Sequence, residues 1–226
     1  MIPMGISSST LGPLTENERS CFFVSMMTAT KGATTRQTVL ERATQLASRV
    51  GLGGLTIGTL ADELELSKSG LFGHFRSKEA LQIQVLDHAA ARFVESVVRP
   101  ALREPRGEPR MRALFERWLD WGRSSPMPGG CLFVAAATEL DDRPGLVRDH
   151  LQQLQRDWLG VIATSFRKGI EEDHFLADAD PEQFAHDLYG VMLSYHHAHR
   201  LMREPKAEAR ARRAFEALLS AARRRP

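Results

Sequence analysis

Residues 56–81 read TIGTLADELELSKSGLFGHFRSKEAL. Thr56 is an N-cap residue type, and Leu60, Ala61 and Leu64 follow it at helical spacing. Ser67 can cap a second, very short helix carrying Leu71, Phe72 and Phe75. Ser77 opens a third, with Leu81, Val85, Leu86, Ala89, Phe93 and Val97 on one side. The first two helices meet at Glu65-Leu66, and Leu66 is expected to plug the space between them. With Leu60, Ala61, Leu71 and Phe75 turned inward, Lys68, Ser69, Gly70, Phe72 and His74 are left outward on the second helix. A short helix with small polar residues and a lysine at its start fits a DNA major groove. Lysine reads guanine acceptors, and serine bonds to several bases. The helix starts at Thr56 and Lys78 offer unpaired backbone N–H groups to phosphate.

Upstream, Val39, Ala43, Leu46, Ala47 and Val50 make one apolar stripe, closed by Gly51, Gly53 and Gly54. Residues 1–34 are rich in Ser, Thr, Gly and Met without a sustained period, and are expected to form a flexible or disordered arm. Downstream, Pro100, Pro105, Gly107 and Pro109 mark a break. Helices are then expected over 110–123, 131–140, 144–168, 181–203 and 206–223, with Gly169 stopping the third of these and Asp180-Pro181-Glu182-Gln183 starting the fourth. No alternating pattern suggests a strand. The chain reads as all-α, about nine helices in two parts: a three-helix helix-turn-helix domain over 35–81 and a larger helical bundle over 82–226, joined by the helix 78–99.

The bulk numbers restrict the function classes. The net charge is +2, so a nucleic-acid surface has to come from local placement of Lys and Arg. Two cysteines far apart, Cys21 and Cys131, make neither a disulfide framework nor a zinc pattern, and fit a reducing cytoplasm. No apolar run reaches the roughly 18 residues that cross a bilayer. Signatures of serine hydrolases, zinc proteases, phosphate-binding loops and dinucleotide folds are missing. His196, His197 and His199 place at most two ligands on one helix face, too few for a metal site. No enzyme activity, metal or cofactor is expected. Cys131, at a helix start after Gly129-Gly130, is either a small buried apolar residue or a thiol sensor of oxidants or electrophiles.

The ordered set Thr56, Leu60-Ala61, Leu66-Ser67-Lys68, Leu71-Phe72, His74-Phe75, Ser77-Lys78 and Leu81, behind the Arg36–Val50 helix, resembles the DNA-binding module of the TetR family of transcriptional regulators. The resemblance implies base or phosphate contacts from Ser67, Lys68, Ser69, Gly70, Phe72 and His74. It implies phosphate contacts from Thr56 and Lys78, with Arg36 a further one. Two positions depart from the family pattern. Glu65 stands where glycine is usual in the turn, and Phe72 where tyrosine is frequent, so a phosphate-binding hydroxyl is lost.

The same resemblance implies a homodimer on near-palindromic double-stranded DNA, a small-molecule effector bound behind residue 105, and no membrane partner. The expected role is a repressor released by its effector. Candidate pocket residues are Trp118, Trp121, Phe133, Trp158, Phe166 and Tyr189. Candidate dimer-seam residues, from three-and-four spacing, are Phe184, Leu188, Val191, Met192, Tyr195, His199 and Met202, with Phe215 and Leu218 beside them. The alternative reading is a helical small-molecule-binding protein or enzyme whose N-terminal helices are scaffold.

Overall fold

A computed structural model describes residues 31–124 and 126–224, except for the side chains of residues 31–35, Phe72 and His74. Most of the arm expected over 1–34 therefore lies outside the described residues. Its last four residues already belong to the first helix, α1 (Lys31–Gly54). The helical path of α1 breaks at Gly51, whose φ of 79° and ψ of 166° suit glycine alone. The glycine-rich exit read from the sequence thus has a conformational reason.

Three short elements follow: α2 (Ile57–Leu64), α3 (Lys68–His74) and α4 (Lys78–Phe93). The chain stays helical beyond Phe93 through a π-helical turn, Val94–Val98, into Arg99–Leu102. Pro100 does not break the helix as expected. It sits just beyond the π turn, where the hydrogen-bond ladder is already irregular and tolerates a residue without an N–H. The bundle continues with α5 (Glu108–Trp121), α6 (Leu132–Leu140), α7 (Leu146–Glu171), α8 (Pro181–Arg200) and α9 (Ala207–Ala222). No strand is present among the described residues. A lone bridge pairs Phe175 with Arg223, tying the loop after α7 to the end of α9.

One apolar core runs through both parts. In the N-terminal part Ala43, Leu52, Leu55, Leu60, Leu71 and Phe75 are fully or almost fully buried. In the bundle Phe166 stacks between Phe175 and Phe184, with ring centroids 4.3 and 4.1 Å away. Gly169 does not end α7, which runs on to Glu171. Its missing side chain makes room for the Phe175 ring: a Cβ there would lie 2.4 Å from it. Ion pairs join α5 and the turn after it to α9 on the outside: Arg112 to Glu216, Arg212 to Glu116 and Arg123 to Glu208. Pairs of this exposure orient helices and contribute little stability each.

The two parts are joined by more than α4. The Glu139 carboxylate on α6 accepts hydrogen bonds from the backbone N–H of Leu52 (3.2 Å) and Gly53 (2.7 Å) at the α1 exit. The buried Gln82 side chain donates to the Leu52 carbonyl at 2.6 Å. Gly129, in the turn before α6, packs on the Ser48 backbone so closely that a Cβ would lie 1.5 Å from the Ser48 carbonyl oxygen. Its N–H donates to Ser48 Oγ at 3.1 Å.

Candidate nucleic-acid interface

α2 begins in a capping box. Thr56 Oγ1 accepts from the Thr59 N–H at 3.0 Å, and Thr59 Oγ1 accepts from the Thr56 N–H at 2.9 Å. Thr56 is therefore the cap expected, but its partner Thr59 was not foreseen, because the usual third residue of the box is Glu or Gln. α2 ends at Glu65, which holds the left-handed conformation (φ 54°, ψ 35°) and donates its N–H back to Ala61 and Asp62. The turn therefore keeps the shape for which glycine is the usual residue. A non-glycine residue there costs about 1–2 kcal/mol.

Ser67 caps α3, its hydroxyl accepting from the Gly70 N–H at 3.2 Å and from Ser69 Oγ at 3.3 Å. Leu71 and Phe75 anchor α3 from beneath. Leu66 is not the expected plug: its side chain is 46% exposed, and Leu60, Ala61, Leu71 and Phe75 close the gap without it. What α3 presents to solvent is Ser67, Lys68, Ser69 and Gly70. The Phe72 and His74 side chains lie outside the described residues, while their backbone continues this helix. Lys68 leans toward the start of α2, its Nζ 3.9 Å from where a Gly58 Cβ would stand.

The other expected cations are engaged within the chain. Lys78 Nζ donates to the Gly53 carbonyl at 2.7 Å, so Lys78 helps hold the α1 exit. Arg36 donates to the Gln84 side chain; Arg49, which was not among the expected contacts, pairs with Glu63 at 2.6 Å. Arg76, between α3 and α4, is exposed and was missed in the sequence, where it looks like any loop arginine. Lys68, Arg76, Lys78 and Arg36 all belong to the N-terminal helical part, although the chain's net charge is only +2.

The C-terminal candidates separate. Trp121, Phe133 and Trp158 surround Phe93 edge-on. Tyr189 reaches the same region through Gln155, which bonds in turn to the Phe133 carbonyl. Trp118 packs instead on Tyr195, and Phe166 belongs to the Phe175–Phe184 stack. The expected dimer seam divides too. Phe184, Leu188, Met192, Tyr195 and Phe215 are buried inside the chain itself. Three-and-four spacing marks a buried face without telling which neighbour buries it. Val191, His199 and Leu218 are half-buried, and Met202 is exposed. The open side of α8 and α9 is a groove lined by His186, Gly190, Val191, Ser194, Ala214 and Leu218, among others.

Cys131 is fully buried, and burial pushes its thiol above the usual range. This is the state of an apolar core residue. No helix among the described residues is long and apolar enough to cross a membrane.

Comparison with known proteins agrees with this geometry. Residues 39–85 match the family described as bacterial regulatory proteins, tetR family, and residues 107–215 match the tetracyclin repressor-like C-terminal domain. The HTH-type transcriptional repressor NemR of Escherichia coli (strain K12) is 25% identical over 161 residues, 70% of this chain and 80% of NemR. Among solved structures, a TetR transcriptional regulator from Chloroflexus aurantiacus superposes with a TM-score of 0.75 at 23% identity, over 84% of this chain and 94% of that one. The reduced form of E. coli NemR gives 0.68 at 22% identity, over 85% and 98%. Both parts of the chain match models of one lineage, and the chain belongs to the TetR family of transcriptional regulators.

Proposed function

We propose that the chain is a homodimeric cytoplasmic repressor that binds near-palindromic DNA through α3 and leaves it when a small molecule binds the C-terminal bundle. The observation that carries this is the exposed edge Lys68-Ser69-Gly70, on a seven-residue helix held from below by Leu71 and Phe75. That edge enters the major groove, with Lys68 reading guanine and Ser69 adaptable. Ser67, Thr56, Arg36 and the newly noted Arg76 approach phosphates, and Phe72 and His74 lie along the same helix. Lys78 uses one of its three donors on Gly53, leaving two for a phosphate oxygen. NemR of Escherichia coli, a relative of this chain, is a repressor, and the same role is assigned here by that likeness.

Dimerisation is assigned to the open groove of α8 and α9, with Gly190, Val191, Ser194, Ala198, Ala214 and Leu218 meeting their copies in a four-helix bundle. The small side chains let helices approach closely. Two α3 helices then stand about 34 Å apart, one turn of DNA. An effector acts by preferring the spacing that fails on DNA.

The test begins with a duplex selected from a randomised library, its affinity measured against salt, with the protein's mass measured by sedimentation. A dimer whose affinity falls steeply with salt is expected. A monomer, or a protein that captures no duplex at low salt, refutes the reading.

A further inference from the structure

The aromatic group around Phe93 contains polar valence that the chain does not satisfy. Trp121 and Trp158 meet the Phe93 ring nearly perpendicular, with centroids 5.4 and 4.9 Å away, and Phe133 joins at 5.9 Å. Both indoles are buried, yet Trp121 Nε1 and Trp158 Nε1 have no hydrogen-bond partner among the described residues. The Cys131 thiol neighbours Trp121, a weak acceptor that falls short of a full hydrogen bond. A buried donor without an acceptor is destabilising, so native chains rarely keep two together.

The neighbouring polar groups are already used. Tyr189 Oη donates to Gln155 Oε1 at 2.7 Å, and Gln155 Nε2 donates to the Phe133 carbonyl at 3.1 Å. Burial pushes both the Tyr189 phenol and the Cys131 thiol up, and no lysine, arginine or carboxylate acts on either. The region is therefore lined by aromatic rings, and its two unmet indole groups are donors. The π turn begins at Val94, directly after Phe93, on the helix that continues from the DNA-binding part. Such turns are places where a helix changes register.

We propose that this group is the effector subsite and that it selects an uncharged aromatic compound with a carbonyl-type acceptor. The proposal rests on the reading of the bundle as an effector domain and specifies the ligand's chemistry. Each indole N–H is a donor only, so the ligand has to bring the acceptor. The perpendicular rings suit an aromatic body. A carboxylate or phosphate would lose its hydration among these rings, a cost that a neutral carbonyl does not carry.

Three compounds of one shape test this on the full-length dimer by calorimetry: 9-fluorenone, fluorene without the carbonyl, and 9-fluorenone-4-carboxylate. Fluorenone is expected to bind roughly tenfold tighter than fluorene, the worth of one or two recovered hydrogen bonds. The carboxylate is expected to bind weaker still. Trp158→Phe should erase the difference between fluorenone and fluorene, whereas Trp118→Phe, on the Tyr195 side, should leave it. Should Trp158→Phe fold poorly, the wild-type indole NMR signals give a second reading. Those of Trp121 and Trp158 should move with fluorenone, and that of Trp118 should stay. Equal binding of fluorenone and fluorene, preference for the carboxylate, or unmoved Trp121 and Trp158 signals would overturn the proposal. The effector reading fails separately, if fluorenone binds with this selectivity and the DNA complex stays intact.

Discussion

Removing the Glu139 carboxylate should loosen the DNA-binding part from the bundle without touching either site. Glu139 accepts two backbone N–H groups, at 3.2 and 2.7 Å, and is half-buried. A hydrogen bond to a charged group contributes about 1.5–3 kcal/mol when well formed. The longer bond and the partial exposure reduce this, so Glu139→Ala should lose about 2 kcal/mol in total. Glu139→Gln keeps an acceptor and should lose about half as much. The amides it holds lie three and four residues ahead of Thr56, so the capped start of α2 should lose its fixed position as well. DNA affinity should then fall about tenfold, equivalent to roughly 1.4 kcal/mol. Gly51→Ala supplies a control on geometry. Its φ of 79° strains any side chain, and its Cβ would also lie 2.2 Å from Glu139 Oε1. In the Glu139→Ala background only the backbone strain remains, so the two changes should be less than additive. Urea unfolding at fixed protein concentration and fluorescence anisotropy with a selected duplex measure both effects. If Glu139→Ala stays within about 0.5 kcal/mol of wild type, a margin typical of neutral surface changes, and binds DNA equally well, the clamp has no role in holding the two parts together.

Three further outcomes are expected. Gly129→Ala should lower the melting temperature clearly, because its Cβ meets the Ser48 backbone and not a movable side chain; an unchanged transition would contradict the packing. Lys68→Ala should relax base preference, whereas Lys78→Ala should weaken all sequences alike and flatten the salt slope; matching binding profiles for the two would break the division of roles. His88 and His196 are both held below their ordinary 6.5, chiefly by burial. The unfolded chain therefore takes up protons first, and stability should be full above 6.5 and decline as pH falls below it. Replacing both with glutamine should flatten that decline in an unfolding series, and an unaltered slope would assign it to other groups.

The features readable in the sequence were the local ones. Thr56, Ser67, Ser77 and Asp180 act on N–H groups two or three residues away, so their caps follow from residue type. Leu71 and Phe75 are inward because the spacing leaves no other face. Gly169 misled because a glycine that stops a helix and one that makes room for Phe175 are the same letter. Part of the expected dimer seam misled in the same way, since Leu188 and Met192 report burial without naming the neighbour. Lys78 looked like a free cation, and only the fold brings it to the Gly53 carbonyl. Glu139 carried no signal, because its partners lie more than eighty residues back in the chain.

The close seat of Gly129 on Ser48, together with the Glu139 contacts, bears on how such proteins diversify. A recombination that cuts the gene after α4 would deliver the reading head without the surface on which α1 rests. The incoming bundle would have to present a side-chain-free residue against Ser48 and an acceptor for Leu52 and Gly53. Exchange of sensing halves between relatives is thus limited to donors that match this small contact, whatever compound they sense. Drift within the bundle, which leaves the contact alone, is the easier route to a new signal.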